Sequence, residues 1–105
     1  MSRENIGMAD DAPALALPPV AVLLPAVLVN LFPGSVRRVE LSASSVADMI
    51  DALDRRWPGM RDRLCDSRPG IRRHINVFVE GERASLETRL AAGAEVIVMT
   101  AISGG

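Results

Sequence analysis

Glu95-Val96-Ile97-Val98-Met99-Thr100-Ala101-Ile102-Ser103-Gly104-Gly105 is the stretch that decides the fold. From Glu95 to Ala101 it is apolar at both parities, the pattern of a strand in the middle of a sheet. Ile102-Ser103 leads out of that strand into Gly104-Gly105. The two glycines carry no Cβ, so a carboxylate behind them can pass through a narrow cleft. At a glycine usage of about 7%, chance places two glycines at the end of roughly 0.5% of chains. The pair therefore carries weight only if the rest of the chain agrees with it.

Upstream, Val20 to Phe32 is rich in Val and Leu and reads as a second strand apolar on both faces, with Pro25 at a bend or an unpaired edge. Pro33-Gly34-Ser35 is a turn. Val36 to Leu41 reads as a half-polar strand that makes a hairpin with the first. Ser45 is a helix N-cap, and Asp48 favours the positive helix end. Val46, Met49, Ile50, Leu53 and Trp57 then form one apolar stripe, with Asp51, Asp54, Arg55 and Arg56 facing water. Pro58-Gly59 ends this helix, and Met60 and Leu64 predict one more short helical turn. Arg68-Pro69-Gly70 is a loop.

Ile75, Val77 and Val79 alternate with His74, Asn76, Phe78 and Glu80, a third strand. Glu80-Gly81-Glu82 predicts a tight turn into a short strand near Arg83 to Leu86. A brief helical turn follows between Leu86 and Ala92, then a turn at Ala92-Gly93-Ala94. One substantial helix is available to cover one sheet face. The expected fold is α+β, a mixed sheet of four to five strands wrapped on that helix. The first and last strands lie side by side at the centre. The far face then keeps apolar surface, and Phe78, Ile97 and Met99 are the candidates for a docking patch there.

Composition narrows the function. The chain has 105 residues and a formal net charge of −1, which argues for one domain without a global basic field for nucleic acid. All 12 basic side chains are arginine, so the chain carries no ε-amine for Schiff-base chemistry or isopeptide attachment. The single cysteine, Cys65, cannot form an intrachain disulfide and favours a cytoplasmic setting. Its neighbour Asp66 opposes thiolate formation. Cys65 and His74 together do not make a metal site. The apolar run from Ala14 to Phe32 is broken by Pro18, Pro19 and Pro25, which argues against a membrane span. The expected organisation is a disordered leader over 1–19, a folded domain over 20–101 and a flexible tail over 102–105.

Leu24-Pro25, Ser45 to Leu53, Ile75 to Glu82, Ala92 to Val96 and above all Ile102-Ser103-Gly104-Gly105 resemble the MoaD/ThiS family of ubiquitin-like sulfur carriers. The resemblance covers roughly Val20 to Gly105 and implies a β-grasp fold. The Leu-Pro start and Ile-Asn-Val-Phe-Val look most like the CysO-type carrier. Two places depart from the family pattern. Ala92-Gly93-Ala94 stands where Asp-Gly-Asp is frequent, and Thr100-Ala101 where prolines are frequent.

The resemblance implies a carrier, not an enzyme. Gly105 would be adenylated by a partner resembling ubiquitin-activating enzymes and become a thiocarboxylate. Gly104, Ser103 and Ile102 would thread the partner's channel. The sequence has no phosphate-binding loop of the P-loop type, so ATP would be used by the partner and no cofactor or metal would be bound by this chain. The implied sulfur acceptors are a cysteine synthase homologue, then a molybdopterin synthase large subunit, then thiazole assembly for thiamine. A protein modifier joined to lysines through Gly105, or a binding module with incidental glycines, uses the same residues and stays open.

Overall fold

The structure is a computed structural model that describes residues 19–66 and 70–100. In chain order the elements are β1 (Val20–Leu23), α1 (Ala26–Leu31), β2 (Arg38–Leu41), α2 (Val46–Arg56), α3 (Met60–Leu64), β3 (Ile75–Val79), β4 (Glu82–Arg83) and β5 (Glu95–Thr100). The strands make one five-stranded mixed sheet in the order β2-β1-β5-β3-β4. β1 runs parallel to β5, with Val22 opposite Val96, and antiparallel to β2, with Val22 opposite Val39. β3 lies antiparallel to β5, with Val77 opposite Val98. The two most apolar strands are neighbours at the centre, as their composition predicts.

α2 is the helix that covers one face. The Ser45 hydroxyl accepts from the Asp48 N–H at 3.1 Å, and the Asp48 carboxylate accepts from the Ser44 N–H at 3.0 Å. These reciprocal bonds anchor the first turn. Val46, Met49, Ile50 and Leu53 are buried against Val20, Val22, Val39, Val77, Val96 and Val98 from the sheet. Among the described residues the buried set is entirely apolar. Met60 and Leu64 of α3 join it, as their spacing predicts. Trp57 packs against the core from the helix end, with the Arg56 guanidinium 5.8 Å from its ring centroid.

Four local expectations change. The stretch from Val20 to Phe32 is not one strand: β1 ends at Leu23 and α1 starts after Pro25. Proline has no N–H for the ladder, and its φ of −72° suits a helix entry. Apolar residues at both parities therefore served two structures. Leu28 is buried while Val27 and Leu31 face outward. β2 accordingly begins at Arg38 rather than Val36, and its hairpin with β1 contains a helix.

The segment from Leu86 to Ala92 holds turns rather than a helical turn. Its carbonyls are already engaged, since the Val46 N–H donates to Thr88 and the Ala47 N–H to Leu86, both at 3.0 Å. These are N-terminal donors of α2, which have no partner inside the helix. The expected strand from Arg83 to Leu86 shortens to Glu82–Arg83. The turn before it is tight, with Glu80 at φ 50° and Gly81 at φ 84°.

Asp54 is more than a water-facing residue. Its Oδ1 accepts from the N–H groups of Gly59 and Arg61, each at 3.0 Å, and so ties α2 to α3. Gly59 stands at φ 101°, where a side chain is strained. Asp54→Ala is expected to lower unfolding free energy by about 1–2 kcal/mol, because two backbone donors lose a charged acceptor. Leu53→Ala should cost about 2–5 kcal/mol. Urea unfolding measures both, and an unchanged midpoint for Asp54→Ala would remove the junction role.

Candidate docking face and tail root

Along β5 the side chains alternate. Val96 and Val98 are buried towards α2, whereas Glu95, Ile97 and Met99 point to the opposite face. Ile97 is flanked on that face by Phe78 of β3 and Leu23 of β1, its partners across the two ladders. Met99 sits two residues further along, beside Asn76. Met99 is 48% exposed, and Leu23, Phe78 and Ile97 are half-buried. The candidate residues Phe78, Ile97 and Met99 are thus brought together on one apolar strip. Leu23 completes it, and sequence reasoning missed it, because a parallel register between β1 and β5 leaves no local signal.

Polar groups border the strip. Asn76 accepts a hydrogen bond from Arg83 Nη2. The Glu80 carboxylate accepts from the Glu95 N–H at 2.6 Å and closes the far end of β5. Arg38 and Glu40 lie on the β2 side, 4.0 Å apart and exposed. An apolar strip rimmed by charge is the pattern of a protein-docking surface.

β5 is described to Thr100, where the chain continues towards Gly105. Ile102, Ser103, Gly104 and Gly105 lie outside the described residues. Thr100 stands between two grooves. One, of about 600 Å³, is lined by Leu23, Leu24, Pro25, Arg37 and the end of β5. Arg37 is fixed there, with its Nε donating to the Leu24 carbonyl at 3.1 Å. The other, of about 280 Å³, is lined by Val27, Leu28, Leu31, Arg63, His74, Ile75 and Thr100.

Cys65 is the thiol among the described residues. Burial pushes the Cys65 thiol above its ordinary pKa; Arg61 lowers it and Asp66 raises it, each by less. A half-buried thiol with a raised pKa is a poor nucleophile. Among the described residues no group of His, Cys, Asp and Glu is placed to hold a metal ion, and no helix is long and apolar enough to cross a membrane.

Known proteins share this fold. The ThiS family model matches residues 22–105. Small archaeal modifier protein 1 of Haloferax volcanii is 36% identical over 62 residues, spanning 59% of this chain and 71% of the relative. The structure of the Amycolatopsis orientalis BexX/CysO complex contains a similar chain, with a TM-score of 0.74 at 29% identity, covering 82% of this chain and 99% of that one. Crystalline SAMP1 from Haloferax volcanii gives a TM-score of 0.70 at 32% identity, covering 83% and 99%. CysO from Mycobacterium tuberculosis, described as an antigen, gives 0.71 at 28%, covering 79% and 99%. With the five-stranded mixed sheet, the covering helix and a family match that runs through the glycine pair, the chain belongs to the ThiS family of ubiquitin-like β-grasp proteins, small carriers or modifiers rather than enzymes.

Proposed function

We propose that this chain is a sulfur carrier whose Gly105 carboxylate is activated by a partner enzyme. The observation that carries the reading is the family match through Gly104-Gly105, directly beyond the central strand β5. In the first step the Gly105 carboxylate attacks the α-phosphorus of ATP on the partner and pyrophosphate leaves. In the second, sulfide attacks the acyl carbon and AMP leaves, giving a thiocarboxylate. Adenylation is required because a carboxylate is a poor electrophile. Gly104 lets the segment pass the partner's channel, and Ser103 and Ile102 are threaded behind it. Phe78, Ile97, Met99 and Leu23 form the surface on which the partner docks.

Two similar solved structures are of CysO, one of them in a complex with BexX. They support a protein partner and a carrier of the CysO type. The favoured acceptor is an activated serine derivative on a cysteine-synthase-type enzyme. A molybdopterin synthase large subunit or a thiamine thiazole-forming enzyme would use the same tail. The likeness to a small archaeal modifier supports a second use, in which a target lysine amine attacks the same acyl carbon of the adenylate, AMP leaves with loss of a proton, and an amide forms.

Intact mass after incubation with ATP, sulfide and a candidate activating enzyme tests the reading. The expected gain equals the exchange of one oxygen for sulfur, and deletion of Gly105 abolishes it. An enzyme that exchanges pyrophosphate in the presence of the chain but leaves its mass unchanged would favour the modifier. Lysine adducts carrying the Leu90–Gly105 peptide, left by tryptic cleavage after Arg89, would then be found. Met99→Asp is expected to weaken binding of the activating enzyme at least ~10-fold, with thermal unfolding still cooperative. Loss of cooperative unfolding would show Met99 to be a core residue instead.

A further inference from the structure

The ladders order the charges of this molecule along the strand axis. β1 and β5 end where β2 and β3 begin, since Leu23 faces Arg38 and Ile75 faces Thr100. That end carries Arg37 before β2, Arg72, Arg73 and His74 before β3, and Arg63 on α3. The opposite end carries Glu40, Glu80, Glu82 and Glu95, with Arg83 next to Glu82 and Arg55 and Arg56 lining a groove with Glu40. The formal net charge is only −1, so the basic end arises from segregation and not from bulk composition.

The basic end is also where the chain leaves β5. Arg63 and His74 line one groove with Thr100, and Arg37 lines the other. An adjoining groove of about 540 Å³ is lined by Leu31, Phe32, Gly59, Asp62, Arg63, Arg72 and His74. Asp62 is the carboxylate among these residues, and its carbonyl accepts from Arg72 Nε at 2.8 Å. Within this ring α1 presents Val27 and Leu31, four residues apart and 50% and 47% exposed.

We propose that this end is a second docking surface, a basic collar around the tail root that fits an acidic rim on the enzyme receiving the tail. The proposal rests on the sulfur-carrier reading. Ala101 to Gly105 span at most about 17 Å when extended, so an active site that reaches Gly105 brings its mouth against the residues around Thr100. Arginines covered in that way need acidic partners. Val27 and Leu31 supply the apolar contact between them. The charge separation also orients the molecule during approach, and such steering acts on the association rate.

The test compares kcat/KM for ATP- and sulfide-dependent mass gain at about 0.01 M and about 1 M ionic strength, where the Debye lengths are about 30 and 3 Å. The collar variant is Arg63→Glu with Arg73→Glu. Arg72 is left intact because its Nε holds the Asp62 carbonyl. The control is Arg55→Glu with Arg89→Glu, an equal charge change on exposed residues elsewhere. Thermal melts confirm that all proteins fold. The collar variant should be slowed ~10-fold or more at low ionic strength and approach the wild type at high ionic strength. The control should stay within about threefold of the wild type. Equal slowing of both variants, or no slowing of either, overturns the collar. Salt-sensitive self-association in sedimentation, relieved by the collar variant, would make a second copy the occupant and also overturn it. If wild-type chain gains no mass from an enzyme that exchanges pyrophosphate in its presence, the carrier reading fails, and the collar fails with it.

Discussion

The parallel pairing of β1 with β5 is the constraint on which the rest of the structure depends. Ala21, Val22 and Leu23 lie opposite Glu95, Val96 and Ile97, and the Ala21 N–H donates to the Ala94 carbonyl at 3.0 Å. A parallel pair needs a long crossover, and here everything from α1 to β4 forms it. Because the central strands run the same way, both finish at one end of the sheet. The exit of β5 therefore lies beside Pro25, Arg37 and α1. The same pairing buries Val22 and Val96 side by side under α2 and leaves Leu23 and Ile97 side by side on the other face. One register sets the core, the apolar strip and the place where the tail begins.

The elements legible in the sequence were those whose signals are local. Ser45 with Asp48 marks a helix start because both bonds close within four residues. The stripe from Val46 to Leu53 is legible because α2 has one side on the sheet and one in water. Glu80-Gly81 is legible because a tight hairpin turn demands positive φ. β5 is legible from apolar residues at both parities, and Phe78, Ile97 and Met99 from the sheet face that a single covering helix leaves open.

The remainder depended on partners distant in sequence or on a choice between two good local structures. Val20 to Phe32 fits a strand by composition, and only the missing N–H of Pro25 divides it into β1 and α1. Asp54 looks like a solvated helix residue until Gly59 and Arg61 turn their N–H groups to it. The segment from Leu86 to Ala92 has helical character that is lost because its carbonyls serve the start of α2. Leu23 could not be placed on the strip without the parallel register.

The division of labour within the molecule follows from its chemistry. The covered face holds an apolar core with no buried polar group among the described residues, so it offers stability and no reactivity. The open face offers area and shape. On the proposed reading the reactive atom is the acyl carbon of Gly105, and its hazard is capture by the carrier's own side chains. The basic side chains are all arginine, whose guanidinium stays protonated and is not a nucleophile near neutral pH. The one thiol, Cys65, is half-buried and held in its neutral form by desolvation. An acyl group activated at Gly105 therefore meets no side-chain amine and no ready thiolate on its own body. The choice between sulfide and a target amine then passes to the enzyme that receives the tail, and this chain contributes presentation and docking.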